Sequence, residues 1–437
     1  LLESLRGKSL NSKEEGVELV DVKSLRIGMF VELDVGWLSH PFPVGSFKLS
    51  SSKQIETIRG LGQAQVRVNW AKSDPDPDAP PALTPEQTAA AEGADAAQRD
   101  AAARQARAEQ LAAQQRSLVV CERRFGEAVR QYRKTLELIP SQPKAAAEYC
   151  QTMVSGFVGE MLAEGESAIR LLSEAAGDKS SMHPVNVTIV SLLLGKAMGL
   201  SQADLVDLGM AAFLHDVGKI QLPDRVRWLE ENFSTAEYKL YQEHVAQSVQ
   251  CAKSMELSKA ALLAIAQHHE LTDGSGFPMR VKGESMTPAA RILALVNRYD
   301  NLCNPSRAAT AMTPHESLSL IFAQLKTRFD SVTLSAFIRM MGVYPPGSVV
   351  QLMDERYGMV VSVNSARPLK PRIIVHEPGI SKHDAVILDL EQAPNIGIRR
   401  SLKPAALPAD AMDFLTPRQR VSYFFERVSD SQMGGLA

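Results

Sequence analysis

The stretch Leu205-Val206-Asp207-Leu208-Gly209-Met210-Ala211-Ala212-Phe213-Leu214-His215-Asp216-Val217-Gly218-Lys219 decides how this chain is read. Apolar residues at helical spacing run to Leu214, and the helix then delivers an imidazole and a carboxylate side by side. Adjacent helix positions diverge by about 100°, so His215 and Asp216 do not share a face. One can hold a metal ion while the other reaches across to a second. His268-His269 repeats that logic, with Glu270 behind it. His183 and His244 complete a window that holds five of the nine histidines.

Imidazole with carboxylate is the donor set of a borderline divalent cation. A mononuclear site would more naturally use the i,i+4 spacing of H-E-x-x-H. Two adjacent pairs point instead to a binuclear centre, whose ions lie ~3.5–4 Å apart and generate a hydroxide for in-line attack on phosphorus. A single histidine on an amphipathic helix is ordinarily structural; the joint pattern carries the reading.

Helical spacing continues on both sides, over Phe125–Leu138, Tyr149–Leu162, Val185–Met198, Ala260–Gln267 and Ile292–Leu302. Strand signals are nearly absent from Leu118 to about Gly342, so residues 118–343 are expected to be an all-α domain. Residues 17–72 read as a small α/β domain with strands at Val17–Val22, Met29–Leu33 and Val66–Val68 and a helix at Gln54–Leu61. Trp37-Leu38 and Pro41-Phe42-Pro43 fall in a loop between them. Residues 73–117 read as a Pro/Ala-rich linker and helical spacer. Ser73–Pro81 can neither pair in a sheet nor continue a helix, because proline removes donors. Thr84-Pro85-Glu86-Gln87 is a helix start. Thr88–Arg116 has helix propensity but little apolar face, which predicts a solvated or partly disordered spacer, with a dimerising coiled coil as the alternative. Beyond Tyr344-Pro345-Pro346-Gly347, residues 344–437 show short strands at Val349–Met353, Gly358–Val363, Arg372–Val375 and Ala385–Leu390. The segment Phe414–Arg427 is expected to end in a short amphipathic helix carrying Tyr423-Phe424-Phe425. The fold class is therefore mainly α, with a small N-terminal α/β domain and a small C-terminal β appendage.

Composition sets outer bounds. A chain of 437 residues has room for two to three domains. Lys and Arg total 48 against 50 Asp and Glu, a formal net charge of −2, which argues against a nucleic-acid partner but leaves room for a small anion in a local basic pocket. The four cysteines, Cys121, Cys150, Cys251 and Cys303, form no C-x-x-C pair. That excludes a zinc ribbon and a redox motif and fits a reducing, cytoplasmic location. The apolar stretch Val187–Leu194 is interrupted by Thr188 and Ser191 and falls far short of the ~20 residues of a membrane span. Leu1–Arg6 has no signal-peptide character, and the chain is read as starting after a trimmed or uncounted first residue.

The ordered motifs His183-Pro184, Gly209–Pro223, His244, Gln267-His268-His269-Glu270, Asp273-Gly274-Ser275-Gly276-Phe277-Pro278, Arg291-Ile292 and Tyr299-Asp300 resemble the HD-GYP family of the HD phosphohydrolase superfamily. The likeness covers most of residues 170–345. It implies an HD-type helical catalytic domain that binds divalent metals, often iron or manganese, and hydrolyses cyclic di-GMP to pGpG or GMP. Carried over by position, it makes His183, His215, Asp216, His244, His268 and His269 metal ligands, with Asp216 as the bridge. It makes Lys219 the lysine at the scissile phosphate, where it stabilises charge or donates a proton. Gly274, Gly276, Phe277 and Pro278 match the loop that names the family and shape a substrate groove or partner surface. Arg307 lies within about one residue of the family's phosphate-binding arginine, a bidentate role. Arg298 and Arg280 are further candidates. Residues 17–72 resemble the small domain of unknown function that often precedes an HD-GYP domain, on the strength of Arg26-Ile27-Gly28-Met29 and Trp37…Pro41-Phe42. The resemblance also implies diguanylate cyclase (GGDEF) proteins as partners, and a homodimer is compatible with it.

This chain departs from the family at three places. The family's final metal-binding Asp aligns with Asn297, whose neutral carbonyl oxygen is the poorer ligand, and Asp300 one turn on is the candidate substitute. The tyrosine of the loop is Phe277. The acidic ligand that some members carry before the first histidine is missing, since Lys179 and Asp178 stand four and five residues ahead of His183. Two ions are therefore expected rather than three. Three readings follow: the first is a cyclic di-GMP phosphodiesterase, and the second is a catalytically weak or inactive domain that binds nucleotide or protein in cyclic di-GMP signalling. An HD phosphohydrolase for another nucleotide is the third.

Overall fold

The structure is a computed structural model, and it describes residues 16–33, 40–77, 85–163, 166–172, 179–228, 233–364, 367–418 and 420–428. Trp37-Leu38, Thr84 and Asp178 lie outside the described residues. The chain divides into two compact units, Leu1–Arg99 and Asp100–Ala437.

The N-terminal unit is built on a four-stranded antiparallel sheet of β1 (Val17–Asp21), β2 (Phe30–Glu32), β3 (Ser46–Lys48) and β4 (Gln65–Asn69), in the order β1-β4-β2-β3. Helix α1 (Ser52–Gly60) starts at a capping box in which Ser51 and Gln54 satisfy each other's backbone. Val31, Ile58 and Val68 are fully buried between sheet and helix. Strand β3 carries no sequence signal because it is three residues long and follows a Pro- and Gly-rich turn.

Helix α2 (Pro85–Leu138) runs without a break from the end of the linker into the helical core. The expected spacer is therefore the front of a single helix. Phe125, Val129 and Tyr132 on its rear half are buried. The core continues through α3 (Pro143–Leu162), α4 (Lys179–Ala197), α5 (Gln202–Leu214), α6 (Thr235–Ser254), α7 (Lys259–Ala266), α8 (Pro288–Cys303), α9 (Pro314–Gln324) and α10 (Ser331–Met341). Ser201, Ser234, Ser258 and Thr287 cap α5 to α8 with side-chain oxygens on backbone N–H groups, which explains where these helices begin. Helix α5 is buried on nearly every face, as expected of a helix that is apolar all round.

Two expectations need correction. Residues Glu166–Leu171, inside the stretch read as purely helical, form strand β5. It joins a seven-stranded sheet with β6 (Val349–Leu352), β7 (Tyr357–Asn364), β8 (Arg372–Val375), β9 (Leu388–Asp389), β10 (Ile398–Leu402) and β11 (Tyr423–Val428). The Tyr423-Phe424-Phe425 segment is not a helix but β11, paired antiparallel to β5 from Tyr423↔Leu171 to Val428↔Glu166. The nearest helix, α11, ends earlier, at Ala409–Leu415. A short apolar run has no intrinsic period to distinguish helix from strand. Here the aromatic content fits a pleated, buried surface, and β5 supplies the partner. Phe157 meets Phe424 edge-on at 5.6 Å between centroids, which ties the sheet to α3.

Candidate metal centre

Four elements place the five histidines of the window: His183 by α4, His215 by the end of α5, His244 by α6, and His268 and His269 just after α7. Asp216 opens a 3-10 turn, Val217–Gln221, that brings Lys219 back beneath it. This turn packs flush on α6 because residue 218 is glycine. A Cβ there would lie 2.4 Å from the His244 carbonyl oxygen and 2.5 Å from the Ser248 nitrogen. The Gly218 N–H donates instead to Ser248 Oγ at 2.9 Å.

The tautomers of the histidines follow from their partners. His215 Nδ1 lies 2.7 Å from the Ala212 carbonyl, His244 Nδ1 2.5 Å from the Tyr241 carbonyl and His268 Nδ1 2.6 Å from the Ile265 carbonyl. A carbonyl only accepts, so each Nδ1 carries the proton and each Nε2 presents a lone pair. His183 Nδ1 is held in the same way by Asp300 Oδ2 at 2.5 Å. The lone pairs converge: His183 Nε2 is 3.2 Å from His215 Nε2, and His244 Nε2 is 3.4 Å from His268 Nε2.

Asp216 stands between the two pairs. Its Oδ2 faces His183 and His215, both at 3.4 Å, and its Oδ1 faces His244 and His268 at 3.5 and 3.6 Å. Two groups can therefore hold cations, His183–His215–Asp216 and Asp216–His244–His268–His269, and they share this carboxylate. The residues fit metal binding on a second count. Asp216 Oδ1 and His269 Nε2 are buried without a hydrogen-bond partner, which is costly for polar atoms unless a cation takes their lone pairs.

Electrostatics agree with that use. Burial pushes His215 down to about 4 and His244, helped by the Lys219 charge, down to about 3. Burial and the neighbouring imidazoles also depress His269. All three are neutral near pH 7, the form that binds a metal. Burial alone would raise the Asp216 carboxyl, but Lys219 and the surrounding histidines override it and hold it well below the usual range. Burial likewise works against the Lys219 ammonium, yet Asp216, 2.6 Å away, and Tyr241 keep it charged. For His183, burial is outweighed by hydrogen bonds to Asp216 and Asp300, which raise it. The Asp300 carboxylate makes His183 a more basic ligand once neutral, as carboxylates behind metal-bound histidines do.

A cleft of about 870 Å³ opens over this cluster. Lys219, His268, His269 and Asn297 lie on it, together with Arg298, Arg307 and Arg328 and the rings of Trp228, Phe233, Tyr238, Tyr241 and Phe277. Ser275, Gly276 and Phe277 are the lining residues of the glycine loop; Gly274 and Pro278 stand off the surface. Glu270, adjacent to the tandem histidines, belongs to the loop and not to the cations. Its carboxylate accepts from the N–H groups of Met279, Arg280 and Val281 at 2.7, 3.0 and 3.1 Å.

Asn297 Oδ1 accepts from Asn301 Nδ2 at 2.7 Å. Asp300 lies behind His183 rather than among the two cation-holding groups. Sequence reasoning missed Trp228, Tyr238 and Tyr241 on the cleft wall. A signal existed for the last: Tyr238, Tyr241 and His244 follow one another at i,i+3 on one face of α6. Among the described residues no helix is long and apolar enough to cross a membrane.

The chain is similar to known proteins. The HD domain family matches residues 166–332, and the domain of unknown function DUF3391 matches residues 19–150. The cyclic di-GMP phosphodiesterase PA4108 of Pseudomonas aeruginosa is 24% identical over 367 residues, 83% of this chain and 86% of the relative. The cyclic di-GMP phosphodiesterase response regulator RpfG of Xanthomonas campestris pv. campestris is 31% identical over 153 residues, and the match spans 34% of this chain and 40% of RpfG. Among solved structures, Bd1817 of Bdellovibrio bacteriovorus, an HDG"Y"P protein, aligns with a TM-score of 0.40 at 13% identity, over 74% of this chain and 98% of that one. The His-Asp pair, the tandem histidines and the glycine loop all fall within the residues that match the HD domain, and a DUF3391 match lies in front of it.

Proposed function

We propose that this chain is a phosphodiesterase that uses two divalent ions, iron or manganese, to open cyclic di-GMP to pGpG and/or GMP. The observation that carries this reading is the sharing of Asp216 between two imidazole sets, with Lys219 on the same carboxylate at the floor of the cleft. Divalent ions held by the histidines and Asp216 would supply Lewis acidity toward phosphoryl oxygens and water. The chain's own groups do the rest. The histidines hold fixed tautomers through their Nδ1 protons. Lys219, charged and buried, offers its Nζ to the charge that builds on the phosphoryl oxygens or to the leaving oxygen. Arg298, Arg307 and Arg328 suit the two phosphates of the substrate, and the aromatic wall suits its bases. The names of the relatives support the cyclic dinucleotide. PA4108 is one, although the Vibrio cholerae 3'3'-cGAMP-specific phosphodiesterase 3, 25% identical over 179 residues, widens the class of base.

A second reading has its own observation. Asn297 supplies no carboxylate, and its side-chain oxygen is engaged by Asn301. That favours a domain that binds nucleotide, or a GGDEF partner, with weak turnover. Hydrolysis of cyclic di-GMP by Mn²⁺- or Fe²⁺-loaded protein under reducing, anaerobic conditions separates the two, with Asp216→Ala as the control. Product from the wild type alone supports the enzyme. Tight binding without product overturns it in favour of the sensor.

A further inference from the structure

The carboxylate behind His183 is held by two asparagines that a part of the chain far along the sequence orients in turn. Asp300 Oδ2 meets His183 Nδ1, while Asp300 Oδ1 accepts from Asn186 Nδ2 at 3.1 Å and Asn304 Nδ2 at 2.9 Å. The same two amide groups donate to the Val421 carbonyl, each at 2.9 Å. In return, the Val421 N–H donates to Asn304 Oδ1 at 2.9 Å and the Tyr423 N–H donates to Asn186 Oδ1 at 3.1 Å. Both amides are thereby fully committed, and their orientation is set by a backbone that enters β11. Val421 and Tyr423 are 4% and 1% exposed, so water offers no substitute partners.

We propose that Val421–Tyr423 is a positioning element of the metal centre, acting on His183 through Asn186, Asn304 and Asp300. A carboxylate oxygen has several directions in which to accept. Two amides on Oδ1 leave Asp300 one orientation, and Oδ2 then aims at the imidazole and turns its Nε2 toward Asp216. A ligand has to be held to within about 0.5 Å, and it is the supporting groups that do so. The HD domain match ends at residue 332, so the two asparagines lie within it and the backbone that orients them comes from outside it. The inference rests on the metal-binding reading above.

The test uses the full chain. Asn304→Ala and Asn186→Ala are compared with wild type by Mn²⁺ and Co²⁺ titration, by metal analysis and by thermal unfolding with and without metal. The expected result is an affinity for one of two ions that is lower by about 10–100-fold, as for other residues behind metal ligands. The second ion stays at wild-type affinity, the Co²⁺ absorption spectrum of one site changes, and the metal-induced rise in Tm shrinks. The double variant costs little more than either single one, because both amides act through one carboxylate. Equal losses of Tm with and without metal, with both ions at wild-type affinity, would make the network purely structural and overturn the proposal. Should Asn304→Ala not fold, Asn186→Ala reads the same point from α4. A wild-type protein that takes up no ion overturns the metal-binding reading, and the proposal falls with it.

Discussion

The ring of Phe277 lies stacked on that of His269, with centroids 4.4 Å apart and planes inclined by 20°. The glycine loop thus touches the histidine cluster directly, and it does so because Gly276 lets its backbone press against the chain before it. A Cβ at residue 276 would lie 2.4 Å from the Leu271 nitrogen and 2.5 Å from the Glu270 Cα.

Gly276→Ala therefore has to displace the loop, since backbone atoms do not yield. Overpacking of this kind costs about 1–3 kcal/mol. The expected outcome is a lower Tm, with KM for the cyclic dinucleotide raised as Phe277 leaves His269. Thermal unfolding and steady-state kinetics check it; an unchanged Tm would mean that the loop is not packed as described.

Asp216→Asn keeps the shape of the side chain and removes its charge from the point both imidazole pairs face. The variant is expected to lose bound metal and turnover together, with the fold retained. Metal analysis and circular dichroism decide this. Retention of both ions would sink the bridging role.

Lys219→Ala tests a group that sits 2.6 Å from Asp216 yet offers no lone pair to a cation. Metal content should stay at the wild-type level while kcat falls by about 10²–10³, the usual cost of one charge-stabilising donor. A wild-type rate would make Lys219 only a counter-ion to Asp216.

Acid should destabilise the metal-free protein over a definite window. His215 is depressed from 6.5 to about 4 in the fold, and burial depresses His244 and His269 in the same direction. Between these values the unfolded chain binds protons that the folded chain refuses, so stability rises with pH there and is lost as pH falls from 6.5 toward 4. His183, which is raised, opposes this, but it is one group against three. Bound metal competes with the same protons and should steepen the loss. Thermal unfolding across this range, with and without Mn²⁺, measures both effects; a flat metal-free profile would contradict the burial of the histidines.

Much of the histidine–aspartate cluster was legible in sequence because its residues come in local arrangements. His215-Asp216 and His268-His269 are adjacent, and Lys219 follows by one turn, so spacing alone conveys how they diverge. The helical core was legible for the same reason: periodicity is a local property. Arg307, Asn297, Phe277 and Gly276 also line one cleft. The role of Asp300 was not legible. Its i+3 spacing on the same helix face offers it as a stand-in ligand for Asn297, whereas the fold sets its carboxylate behind His183.

The sequence by itself determined that this is a mainly helical protein with a histidine- and aspartate-rich centre, because helix period and ligand adjacency are written within a few residues. Only the tertiary structure decided that Tyr423-Phe424-Phe425 is a strand, since its conformation depends on the pairing with β5. The same holds for Val421, whose backbone reaches Asp300 through two asparagines, one on α4 and one just past the end of α8. Contacts of that range are chosen by which surfaces pack together, and no spacing along the chain records them.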